Sequence, residues 1–99
     1  MKYASIRQVS AIARRYFVRG RVQGVGFRNY VQQHAVRIGV SGYTRNLADG
    51  RVEVYACGTH AQLDELDGLL YQGPRWADVH GVDIAEAAPS RDSGFHIKG

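Results

Sequence analysis

Not one Asp or Glu precedes Asp49, and only one cysteine, Cys57, occurs in the 99 residues. A single thiol excludes an internal disulfide, so a reducing, cytoplasmic setting is expected. No apolar run approaches the roughly 20 residues a helix needs to cross a bilayer, and no membrane partner is expected. The start of the chain lacks the apolar stretch of about 7–15 residues that marks a secretory signal. His34, His60, His80 and His96 keep no metal-ligand spacing to one another or to Cys57. No zinc site is therefore expected, and no cofactor is expected.

The missing acids create a sharp asymmetry. Residues 1–48 carry nine Lys or Arg, whereas residues 49–99 carry four basic and nine acidic groups. The net charge is +4, and eleven of the thirteen basic residues are arginine. A basic half rich in Arg points to an anionic partner, because the guanidinium matches oxyanions with two prongs. The plainer alternative is two halves that interleave in the fold and cancel. Hydrophobic and charged contents of 44% and 22% are ordinary for a globular protein. The length suits one domain with its own core. Residues 1–13 read as a flexible N-terminal extension, and residues 14–99 as the domain.

Hydrophobic periodicity orders the rest. Between Arg15 and Val22, Tyr16, Val18, Gly20 and Val22 share one face of a strand, and Arg15, Arg19 and Arg21 the other. From Phe27 the period becomes helical: Phe27, Tyr30, Val31, His34, Ala35 and Ile38 form one stripe, closed by Gly39. His34 on that stripe reads as a hydrogen-bonded core residue. Strand two (Val40–Leu47) and strand three (Arg51–Cys57) flank an Asp49-Gly50 turn, with Val52, Val54 and Ala56 inward. Thr59 and Gln62 make a capping box ahead of Leu63, Leu66, Leu69 and Leu70, and Gly73-Pro74 ends that helix. Trp76 is expected to pack the start of strand four (Asp78–Glu86), whose parity slips between Val79 and Val82/Ile84 as at a bulge. Phe95 and Ile97 make a short last strand.

The order β-α-β-β-α-β plus a terminal strand predicts a ferredoxin-like α+β sandwich, with two helices on one face of an antiparallel sheet. Right-handed crossovers put strands one and three in the centre, and these are expected to run parallel to each other. Many functions share this arrangement.

Function is sought in Gly20, Arg21, Val22, Gln23, Gly24, Val25, Gly26, Phe27 and Arg28. Here a strand turns on glycines into a helix with an arginine in its first turn. Such a loop brings bare backbone N–H groups, the positive end of a helix dipole and a guanidinium to one small anion. It lacks the Gly-Lys-Ser/Thr of a Walker loop and the spacing of a dinucleotide fingerprint, so one phosphate suits it better than a pyrophosphate. Asn46 is a second candidate. With strand two running opposite to strands one and three, its approach to Arg28 is left open, and hairpin-turn chemistry is the default account of an asparagine there.

The blocks Gly20–Arg28, Gly42-Tyr-Thr-Arg-Asn46 and Asp49-Gly-Arg-Val-Glu-Val54 closely resemble the acylphosphatase family. The similarity continues to Gly73-Pro-Arg75 and Gly94-Phe95 and covers about residues 14–98. Tyr43 and Thr44 stand where family members often have Trp and Val. The resemblance implies hydrolysis of the carboxyl–phosphate bond of small acyl phosphates. It implies that residues 20–26 and Arg28 bind the phosphate, that Asn46 positions the attacking water, and that no metal takes part. A monomer is expected.

Two other readings compete. A non-catalytic acylphosphatase-like regulatory module, of the kind that opens hydrogenase-maturation carbamoyltransferases, shares the same motifs. An RNA-binding domain shares the element order but needs paired aromatics on the central strands. Only Phe17 and Tyr55 answer that pattern, so no nucleic-acid partner is expected.

Overall fold

The computed structural model describes residues 12–99; the expected extension over residues 1–11 lies outside the described residues. Its elements are β1 (Ile12–Arg21), α1 (Phe27–Ile38), β2 (Ser41–Asn46), β3 (Val52–Gly58), α2 (His60–Gln72), β4 (Asp78–Ala87) and β5 (Phe95–Ile97). Ile12 and Ala13, assigned to the extension on sequence grounds, belong to β1, where Ile12 pairs with Gly58 and Ala13 with Cys57. The sheet order is β4-β1-β3-β2-β5, the ferredoxin-like arrangement with one strand added. That strand, β5, lies parallel to β2, so the sheet is mixed rather than wholly antiparallel.

Both helices cover one face. Tyr16 and Val18 of β1 and Val52, Val54 and Ala56 of β3 are buried against Phe27, Val31 and Ala35 of α1 and Leu63, Leu66 and Leu70 of α2. Full burial of each such leucine is worth roughly 1.5–3 kcal/mol against exposure. The buried Tyr16 hydroxyl donates to the Leu63 carbonyl at 2.8 Å, so its polar atom enters the core satisfied. Thr44, buried on the same face, donates to the Glu53 carbonyl at 2.9 Å. The capping box forms: Gln62 N–H donates to Thr59 Oγ1 and Thr59 N–H to Gln62 Oε1. Arg19 pairs with Gly81 and Gly20 with Val79, leaving His80 as the extra residue of the expected bulge. Gly20 lies there at φ 120, and a Cβ would run into the Asp78 carbonyl.

Two side chains depart from expectation. His34 is half-buried on the flank of α1, its ring edge-on to Tyr30 and its Nδ1 2.9 Å from Arg37 Nη2. The fully buried stripe is narrower than the periodicity suggests: Phe27, Val31 and Ala35 are buried, while Tyr30 and Ile38 pack against the core only partly buried. Trp76 is 70% exposed beneath the Arg75 guanidinium rather than packed. Ile84 shares the helix face with Val82 but is 48% exposed on the edge strand β4.

The opposite face has no helix, yet Ala13, Tyr55 and Cys57 are buried there. The connection from β4 to β5 joins opposite edges of the sheet and lies over these residues. Tyr55 donates its hydroxyl to the Ala88 carbonyl, and the Ser90 N–H donates to Cys57 Sγ at 3.5 Å. Burial, reinforced by the Cys57 thiol, pushes Tyr55 up to about 12, which keeps it a protonated donor.

Candidate active site

Val22, 1% exposed, ends the β1 side of the loop as a core anchor. Gly24 and Gly26 then take φ 75 and 78, and a Cβ on either would meet nothing within 4 Å. Space does not demand glycine at these positions; the left-handed backbone does. Gly26 is the N-cap of α1, and the first turn contains no acid and no side-chain cap. The leading N–H groups of α1 are therefore left for an external acceptor, at the positive end of the helix dipole. Arg28 stands in that first turn, its Nη1 donating to the Lys98 carbonyl at 3.1 Å.

The strand directions differ from expectation, and the difference assembles the site. β1 and β2 are each antiparallel to β3 and so run the same way as one another. The crossover through α1 returns the chain in its original direction two strand positions away, and β3 fills the gap in reverse. Asn46, the last residue of β2, consequently ends up at the same end of the sheet as the loop after β1. A cavity of about 260 Å³ opens there, lined by Val22, Gly24, Gly26, Phe27 and Arg28 from one side and by Asn46 from the other. Asn29 and Ile97 complete its wall.

The other residues of the candidate loop do different work. Gly20 and Arg21 are strand residues paired with Val79 and Asp78 of β4. Val25 is half-buried against the core. Gln23 spends its side chain on a tether, donating Nε2 to the carbonyls of Leu47 at 2.8 Å and Arg51 at 2.9 Å. That tether joins the loop to the β2–β3 hairpin carrying Asn46. The hairpin is itself braced, because the Arg51 backbone N–H, and then its guanidinium, hold the Asp49 carboxyl below its ordinary range. Removing both Gln23 bonds with Gln23→Ala is expected to lower kcat/KM about tenfold or more in a still-folded protein, since a small misplacement of the loop spoils alignment. Steady-state kinetics with circular dichroism as the folding control measure it.

Asn29 and Ile97 carried no signal of their own in the sequence. Asn29 is a polar helix residue like many others, and Ile97 reaches the cavity only because β5 docks beside β2. Among the described residues, no three His, Cys, Asp or Glu side chains gather as a metal-binding group. The arrangement can hold a small tetrahedral oxyanion against the helix N-terminus and present a carboxamide beside it.

A family model for acylphosphatase matches residues 14–97. An acylphosphatase of Solibacter usitatus (strain Ellin6076) is 57% identical over 86 residues, covering 87% of this chain and 90% of that protein. Among solved structures, an acylphosphatase from Coxiella burnetii superposes with a TM-score of 0.88 at 32% identity, covering 92% of this chain and 96% of that one. An acylphosphatase from Bacillus subtilis gives 0.84, also at 32% identity, over 89% and 99% of the two chains. By fold, by motif and by similarity along nearly its whole described length, the chain belongs to the acylphosphatase family.

Proposed function

We propose that the cavity at the N-terminus of α1 is where this acylphosphatase splits the carboxyl–phosphate bond of acyl phosphates, without a metal ion. Arg28 and the amides of residues 22–28 hold the phosphoryl group, and the Asn46 carboxamide orients the attacking water. The observation that supports this reading is the single cavity shared by the loop, Arg28 and Asn46.

The chemistry asks little more of the protein. An acyl phosphate is a mixed anhydride whose leaving group departs as a carboxylate, a weak base that needs no general acid. Water forms a new O–P bond as the acyl O–P bond breaks, and the released phosphate keeps the proton that water gives up. What remains is positioning and neutralising charge on the transferring group, the two largest levers in phosphoryl transfer.

The chain acts as a cytoplasmic monomer in this reading, and nucleic acid is not its partner. Among the described residues, Phe17, Tyr55 and Tyr43 on the helix-free face each already bear a cation: Arg51, Arg15 and Lys98 respectively. Among the described residues these rings leave no bare stacking platform for bases.

The test is phosphate release from benzoyl phosphate or acetyl phosphate in excess EDTA. Turnover should be unchanged by the chelator, and inorganic phosphate should inhibit competitively. Activity that vanishes with EDTA and returns with a divalent cation would rule out the metal-free mechanism.

A further inference from the structure

A second hollow, outside the catalytic cleft, lies on the helix-free face beside the connection from β4 to β5. It measures about 360 Å³, with Tyr43, Tyr55, Cys57 and Ala88 giving it an apolar lining. Its polar lining comes from Arg15, Lys98, His96, Ser41, Ser90 and Asp92. That volume is at the lower end of the roughly 300–1,000 Å³ typical of small-molecule sites.

Charge and aromatic geometry restrict what fits. Glu53, 4% exposed beneath this face, is bracketed by Arg15 and Arg45. Counting Arg15, Arg45 and Lys98 against Glu53 and Asp92 leaves a surplus of one positive charge. Among the described residues Lys98 forms no ion pair; its Nζ lies 4.0 Å over the Tyr43 ring. Tyr43 and Tyr55 stack at 5.4 Å and 24°, and Arg15 covers Tyr55. The ring faces are thus occupied by each other and by cations, which leaves the rings' electropositive edges for a ligand. A dianion exceeds the surplus charge, and a cation meets the wrong sign.

We propose that this hollow is a second ligand site, for a small organic monocarboxylate. Its carboxylate meets the Lys98 ammonium and the Ser hydroxyls, and its apolar body lies along Tyr43, Tyr55, Cys57 and Ala88. Carboxylates of this kind are also what acyl phosphate hydrolysis releases, and that connection rests on the reading given above. The binding itself does not. Lys98 belongs to both regions, because its carbonyl accepts from Arg28 while its ammonium faces this hollow.

Benzoate titrated into ¹⁵N-labelled protein tests the proposal by NMR. Saturable shifts are expected at the Tyr43, Cys57 and Ser90 amides, and they should persist when inorganic phosphate fills the catalytic cleft. Lys98→Gln should weaken benzoate binding about tenfold or more, the scale of one charge-assisted contact. Benzoate shifts confined to Gly24–Arg28 and Asn46 and abolished by phosphate would overturn the second site, as would a non-saturating response. A separate phosphate titration reads the catalytic cleft, so failure there and failure here are distinguishable.

Discussion

Arg28→Ala is expected to lower kcat/KM for benzoyl phosphate by about 10³-fold or more while leaving the protein folded. The magnitude follows from the arginines that neutralise transferring phosphoryl groups elsewhere, worth roughly 10³–10⁵ in rate. The intact fold follows from what Arg28 touches: it is half-buried, and its hydrogen bond within the described residues goes to the exposed-end carbonyl of Lys98. Losing one such bond costs about 1 kcal/mol, well within the stability of a domain this size. Arg28→Lys should restore little, because an ammonium is a point charge and cannot grip two phosphate oxygens while also reaching Lys98. Inorganic phosphate should lose its inhibitory power alongside. A folded Arg28→Ala protein with near-normal turnover would remove the proposed phosphate site altogether.

Asn46→Ala should separate orientation from binding. The carboxamide lines the cavity from the β2 side, opposite the loop and helix proposed to hold the phosphate. Its removal is expected to cut kcat by roughly 10²-fold or more, the scale of a lost positioning or transition-state hydrogen bond. The inhibition constant of inorganic phosphate should move much less, since Arg28 and the loop amides remain. Parallel losses in kcat and phosphate affinity would make Asn46 a phosphate ligand instead. Asn46 is an exposed strand-end residue paired with Val52, so folding is not at risk.

Much of the architecture was legible because local rules agreed with one another. Alternation at Tyr16 and Val18, the four-residue stripe through Phe27, Val31 and Ala35, and the Thr59–Gln62 box each specify an element without reference to the rest. The misreadings share a cause. His34 and Trp76 were assigned packed positions by periodicity or by neighbours in sequence, but periodicity names a face and does not say how far another element covers it. Coverage ends at the flank of α1 and at the β4 edge, so half-buried and exposed side chains appear there. Ile12 and Ala13 lie in strand β1 because Gly58, Cys57 and Ala87 are in place to pair with them, which no local pattern announces.

The site divides in the same way. The glycines and Arg28 were readable in the sequence because an anion loop is a local object: left-handed backbone, a helix start and a guanidinium all lie within nine residues. Asn46 was not readable from the residues alone. Its arrival beside Arg28 depends on β1 and β2 running the same way with β3 reversed between them, a fact about strand direction that belongs to the sheet. Gln23 joining the loop to the hairpin, Lys98 bracing Arg28, and the hollow beside the β4–β5 connection are likewise long-range pairings. The sequence by itself determined which groups are candidates for binding phosphate, because that chemistry resides in single residues and short turns. Only the tertiary structure decided which of them meet, because distance between remote residues is set by how the sheet closes.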